Sequence, residues 1–236
     1  MSGRFLIVNA DDFGLSPGVN RGILETHERG ILTSTSLMVR APAAALAADA
    51  ARDHPRLSVG LHLDLGEWIC RDGSWEPVYQ RVDPGDAAAV GAELQAQLAS
   101  FRTLMGREPT HLDSHQHVHL GEPVLSLALE AADRLGVPLR SRSPLIRYCG
   151  GFYGQSDGGA PHHAALSIDG LRSVLAELGP GHHELGCHPG YGDDLPTMYR
   201  VERAMEVAVL CDPAAVEVVA AAGFELRSFE DLTPRD

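Results

Sequence analysis

The stretch that most limits what this chain can become is Thr110-His-Leu-Asp-Ser-His-Gln-His-Val-His119, where four of the twelve histidines fall within nine residues beside Asp113. An extended strand alternates its side chains between two faces. On that geometry His111, Asp113, His115, His117 and His119 share one face, and Leu112, Ser114, Gln116 and Val118 the other. A helix would scatter the same groups around its circumference. Buried polar groups need partners, so such a face is poor core material and a reasonable wall for a metal-containing cleft. A solvated, histidine-rich edge strand is the competing reading. What decides between them is whether other polar clusters arrive at the same place.

Along the chain they do. Arg4–Ala10 is a short apolar run that reads as a buried strand and empties into Asp11-Asp-Phe-Gly14. Ser16-Pro17 then caps and starts a helix through about Glu28. Adjacent carboxylates at a strand's end repel unless a cation or a shared proton offsets them; two exposed Asp residues in an Asx-turn are the alternative. Thr33–Val39 reads as a second strand and Pro42–Asp53 as the following helix. Leu57–Leu65 is a third strand, with Gly60, His62 and Asp64 on one face. Segment 66–84, with two tryptophans and no clear period, reads as a loop over the site. A helix from Asp83-Pro84 to about Leu104, the 110–119 strand and a helix over Glu122–Leu135 follow.

Val137–Arg142 is predicted as a short fifth strand with Arg140 and Arg142 on one face. The Gly-rich segment 143–165, containing His162-His163, reads as a second surface loop. A helix over Leu166–Leu178, a sixth strand His183–His188, helices over Met198–Leu210 and Pro213–Ala222, and a last strand Gly223–Phe229 complete the order. Strands alternating with helices imply a parallel sheet. The first strand lacks a following G-x-G-x-x-G, which argues against a dinucleotide site. The expectation is one α/β domain over residues 1–236, a distorted (β/α) barrel of about seven parallel strands with its site at the strand carboxyl ends.

Composition narrows the function. A formal net charge of −13 argues against sequence-independent binding to nucleic acid or anionic membrane. The apolar run Phe5–Val8 is too short for a signal peptide or a membrane span, so a cytoplasmic location without membrane insertion is expected. Cys70, Cys149, Cys187 and Cys211 form no C-x-x-C pair and read as free thiols. Asp11/Asp12, His62, the 111–119 row and His188 all fall at or near strand ends. One carboxylate and two imidazoles holding a divalent ion, with a second carboxylate as base and another imidazole as acid, are the groups that metal-assisted hydrolysis needs. No G-x-S-x-G elbow points to a serine nucleophile.

Asn9-Ala-Asp-Asp-Phe-Gly14, Gly60-Leu-His62, the 110–119 stretch and Cys187-His-Pro-Gly190 together resemble the YdjC-like carbohydrate deacetylases, a group that includes chitooligosaccharide and hopanoid-associated deacetylases. The resemblance runs from residue 4 to about 230. It implies a barrel related to the NodB-type polysaccharide deacetylases and divalent-metal-dependent removal of acetyl groups from N-acetylated sugars. It also implies Asp12, His62 and His115 as metal ligands, Asp11 as general base, His188 as the acid for the leaving amine, and Arg142 as the residue that orients Asp11. The ion is zinc or magnesium by preference, with manganese, cobalt or nickel as alternatives, and a homodimer is in keeping with the group. From the residues alone either Asp11 or Asp12 could ligate the ion, and His117 and His119 remain open as supporting groups, alternative ligands or packing. Segments 66–84 and 143–165 are the least like the group and leave the substrate's identity open. A non-catalytic sugar- or metal-binding module and an amidohydrolase for a non-sugar amide are the rival functions.

Overall fold

The computed structural model describes residues 3–71, 73–156, 159–195 and 197–232. In chain order its strands are β1 Arg4–Phe13, β2 Ser34–Leu37, β3 Ser58–Leu63, β4 Gly66–Arg71, β5 Ser74–Gln80, β6 Leu112–Ser114, β7 Ile146–Cys149, β8 Gly181–Cys187 and β9 Glu225–Leu226. The helices are α1 Pro17–Arg29, α2 Ala44–Arg52, α3 Ala87–Met105, α4 Val124–Leu135, α5 Ile168–Ala176, α6 Val201–Leu210 and α7 Pro213–Ala221. Seven strands make one sheet in the order β6-β3-β2-β1-β8-β7, with β9 beside the start of β1. Every ladder in it is parallel.

The helices form where apolar spacing and capping agree. Ser16 accepts a hydrogen bond from the Val19 amide at 3.1 Å, Pro17 follows, and α1 then buries Val19, Ile23 and Thr26 at helical spacing. Asp86 caps α3, which buries Val90, Leu94, Leu98 and Phe101 and ends at Gly106 in the left-handed conformation. β1 is buried from Leu6 onward, with helices and neighbouring strands packed on both faces, as the continuous apolar run Phe5–Val8 requires. Each fully buried Leu, Ile or Val contributes about 1.5–3 kcal/mol relative to exposure.

The sheet curls until its two end strands approach. β6 and β7 share no ladder among the described residues; Leu139 makes a single parallel bridge to Leu112. The Arg140 side chain lies across the gap, reaching Asp113 on β6 at 2.8 Å and Glu184 on β8 at 2.7 Å, with its guanidinium over the Tyr148 ring on β7 at 4.8 Å. The expected distorted barrel is therefore present, open at one seam that a buried cation spans.

Four expectations change. The strand predicted over 110–119 stops at Ser114, because Gln116 and His117 take φ of 51° and 54° and turn the chain through a 3₁₀ segment, His115–Leu120. Val137–Arg142 pairs with β6 only around Leu139 and then turns: Ser141 has φ 61°, and the Arg142 and Ser143 amides both donate to the Leu139 carbonyl at 3.0 Å. The seam strand β7 lies instead in what reads from sequence as a loop. Segment 66–80 is also ordered, as an antiparallel hairpin of β4 and β5. Gln116 pins this hairpin by accepting from the Trp68 amide at 2.8 Å and donating to its carbonyl at 2.7 Å. Among the described residues no helix is long and apolar enough to cross a membrane.

Candidate active site and metal centre

Regular strand geometry would send Asp11 and Asp12 to opposite faces of the sheet. β1 avoids this with an irregularity: its register against β2 shifts between Ala10 and Phe13, and Asp12 sits in the left-handed region at φ 68°. A bulge of this kind re-aims side chains, and Asp is among the few residue types that tolerate it. Both carboxylates consequently face the same cleft, but with different neighbours. Arg140 clamps Asp11 through Nη1 to Oδ2 at 2.6 Å and Nη2 to Oδ1 at 2.7 Å. Arg203 of α6 donates to Oδ2 of Asp12 at 2.6 Å and leaves Oδ1 facing His62 Nε2 at 3.4 Å and His115 Nδ1 at 3.1 Å.

Asp12, His62 and His115 thus present one donor atom each within 4.8 Å of one another. The donor set fits a divalent cation: one hard carboxylate oxygen and two borderline imidazole nitrogens. The supporting bonds fit as well. Asp113 Oδ1 holds His62 Nδ1 at 2.7 Å, which fixes the ring and leaves Nε2 for the ion. Asp11 and Asp113 with His62 form a second compact group, but Arg140 engages both carboxylates, so it is a poorer cation site.

The electrostatics follow from how cations and anions are apportioned. Burial pushes the Asp11 carboxyl up, yet the Arg140 guanidinium more than offsets it and Asp11 stays ionised below the usual carboxylate range. Asp12 is likewise burdened by burial and held well below that range by Arg203 and the two imidazoles. Asp113 is lowered by Arg140 and His62 against the same burial. One guanidinium does not hold three carboxylates equally: Glu184, also bonded to Arg140, is pushed up to about 7 by burial. His62 is pushed down by burial, yet Asp113 and Asp11 overcome it and the imidazole rises well above its ordinary value.

His188 follows β8 and turns Nε2 toward Asp11 Oδ2 at 3.8 Å. Burial pushes its imidazole down to about 4, so it is neutral at neutral pH. Glu206 of α6 accepts from the His188 backbone N–H and, at 2.5 Å, from the Tyr199 hydroxyl. Arg203 adds a bond to the His188 carbonyl at 3.3 Å. α6 therefore supports both the candidate metal ligand Asp12 and the candidate acid.

Of the residues singled out from sequence, Asp11, Asp12, His62, His115 and His188 converge here. Arg142 does not: it is exposed, and Arg140 supplies the guanidinium that engages Asp11. Ser141's positive φ is the reason, since it breaks the alternation that put both arginines on one face. His111 and His119 are buried struts. His111 Nε2 meets Ser36 Oγ at 3.1 Å while its ring stacks on Phe229, and His119 lies between Ser114 Oγ at 2.6 Å and the Arg140 carbonyl at 3.2 Å. His117 packs edge-on to Tyr148. His163 pairs with Glu202 at 3.2 Å, and His162 is exposed. Cys187 is buried and donates to the Asn9 carbonyl at 3.3 Å, away from the reacting groups. Arg203, Glu206 and Tyr199 are unforeseen. Their signal was a polar stripe, Glu202, Arg203 and Glu206 at helical spacing on α6 with Tyr199 just before it, all four of which are buried.

The YdjC-like protein family matches residues 5–221 of this chain. A chitooligosaccharide deacetylase of Serratia marcescens is 34% identical, covering 97% of this chain and 99% of its own length. A crystal structure of an Enterococcus faecalis protein named for cellobiose-phosphate cleavage superposes with a TM-score of 0.76 at 28% identity, covering 98% of this chain and 100% of that one. A family 4 carbohydrate esterase of Streptomyces lividans, solved with acetate, shares the fold at a TM-score of 0.56 and 13% identity, over 95% and 92% of the two chains.

Proposed function

The chain belongs to the YdjC-like family, and on that premise we propose that it is a divalent-metal-dependent carbohydrate deacetylase releasing acetate from N-acetylated sugars. The observation that carries this reading is the juxtaposition in one cleft of the Asp12–His62–His115 donor set, an ionised Asp11 clamped by Arg140, and His188 at 3.8 Å from Asp11. The name of the Serratia relative supports sugar amides over other amides.

Asp12, His62 and His115 would hold the ion, with zinc or magnesium preferred. When bound, such an ion lowers the pKa of water and polarises an amide carbonyl. The remaining work falls to the chain's own side chains. Asp11, kept ionised by Arg140, takes a proton from the attacking water. His188 rests neutral, so the proton it gives to the leaving amine derives from the one Asp11 accepted, across the short gap between them. The water's oxygen becomes part of acetate, and the sugar leaves as a free amine. Residues 1–236 are read as one domain, with a cytoplasmic location and a homodimer as part of the same account.

The test is acetate release from N-acetylglucosamine oligomers by the wild-type protein and by Asp11→Asn. The expected result is turnover in the first and loss of most of it in the second, with metal still bound. Acetate release undiminished in Asp11→Asn would remove Asp11 from the base role. Phosphate release from sugar phosphates without acetate release would replace the whole reading.

A further inference from the structure

One aromatic ring at the mouth of the cleft has no task in this chemistry. Tyr153 is 36% exposed, yet it is firmly placed. Its ring stacks on Tyr199 at 4.6 Å with planes 6° apart, and Tyr199 is itself fixed by its bond to Glu206 and by the Gly154 amide, which donates to its hydroxyl at 2.7 Å. The preceding residue, Phe152, is fully buried. The following residue, Gly154, lies so close to Leu166 and Glu202 that an added Cβ would meet them at 2.6 and 2.7 Å. The backbone on both sides of Tyr153 is thus anchored.

Three ring distances locate the face that Tyr199 leaves uncovered. His188 lies 5.4 Å from Tyr153 and 5.5 Å from Tyr199, and the two tyrosines are 4.6 Å apart. A ring on the far side of Tyr153 would be much further from Tyr199 than from Tyr153. The near-equal distances place His188 beside the edge of the stacked pair. Tyr199 therefore covers one face of Tyr153 and His188 borders its rim. Among the described residues no ring or cation is stacked on the other face.

Resting on the deacetylase reading, we propose that the outer face of Tyr153 is the stacking platform for the pyranose ring whose acetamido group enters the site. Axial C–H groups give a pyranose an apolar face, and an aromatic ring beside the acid that meets the leaving nitrogen is where that face would lie. Because the ring is already fixed, little ordering entropy opposes binding. A flat aromatic face of this kind selects for a cyclic sugar over an open-chain amide.

The test compares Tyr153→Ala and Tyr153→Phe with the wild-type protein, by NMR-detected binding of N-acetylglucosamine oligomers and by acetate release. Tyr153→Ala is expected to weaken binding and raise KM by about tenfold with kcat little changed, while Tyr153→Phe stays within about twofold of wild type. Metal affinity, measured by chelator competition, is expected to be unchanged in both. Equal sugar binding by all three proteins would overturn the platform. So would a loss in Tyr153→Phe as large as in Tyr153→Ala, which would make the hydroxyl the active part, or an absence of sugar binding by the wild type. Binding is read without turnover, so sugar binding lost in Tyr153→Ala from a wild type that releases no acetate would support the platform and refute the deacetylase reading.

Discussion

Replacing Arg140 with Met isolates what the buried cation at the seam does. Its guanidinium makes close contacts to Asp11, Asp113 and Glu184, all within 2.6–2.8 Å, and is itself fully buried. Methionine keeps much of the volume and removes the charge. Breaking a buried pair by removing one partner costs about 3–5 kcal/mol, a large part of the roughly 5–15 kcal/mol that holds a domain folded. The loss has a defined pH dependence. Asp11 and Asp113 have folded-state pKa values below their unfolded ones, so Arg140-dependent stability is fully present above the ordinary carboxylate range near pH 4. It disappears as pH falls through the depressed folded values. The gap between wild type and variant in urea unfolding should therefore be widest above about pH 5 and shrink below about pH 4. Without the guanidinium, burial and the neighbouring Asp113 act on Asp11 against His62 alone and its carboxyl rises, so the acid limb of kcat/KM for acetate release should move to higher pH. Arg140→Lys keeps the charge while losing the fork, and should move the limb less. A variant destabilised by less than about 1 kcal/mol, with its acid limb in place, would refute the reasoning.

Other expectations follow from single contacts. Asp113→Asn removes the anionic partner of His62 Nδ1 and should weaken metal binding about 10- to 100-fold, read by chelator competition. Gly60→Ala would drive a Cβ to 2.4 Å from the buried His111 ring, so it should lower stability by about 1–3 kcal/mol in thermal or urea unfolding. Stability unchanged there would mean that the ring moves aside freely.

Much of the fold was legible because the parallel sheet writes itself in period and punctuation. β1, β2, β3 and β8 are apolar or β-prone runs, each bounded by turn residues or a cap, and they appear where the pattern puts them. The hairpin of β4 and β5 was not legible for the opposite reason. β5 is exposed along nearly its whole length, with Trp75 62% exposed, so no alternation of burial marks it. The seam was misread at Ser141, Gln116 and His117, where non-glycine residues take positive φ. Nothing in residue type announces those conformations. The turn at Ser141 is also what carries Arg142 away from the cleft. The candidate ligands were legible because carboxylates and imidazoles from several strand ends fall together in the pattern. Its supporting cations and acids were hidden on α6, where Arg203 and Glu206 look like ordinary surface charges until the helix is docked.

The central claim is that Asp12, His62 and His115 hold a divalent ion on which acetate release depends. The most direct measurement strips the protein with chelator, titrates back one ion at a time, and follows bound metal and acetate release from N-acetylated chitooligosaccharides together. The account predicts no release from the stripped protein and recovery that saturates at one ion per chain. It also predicts that His62→Ala neither binds that ion tightly nor recovers. Full activity in the stripped protein, or in His62→Ala, would contradict it.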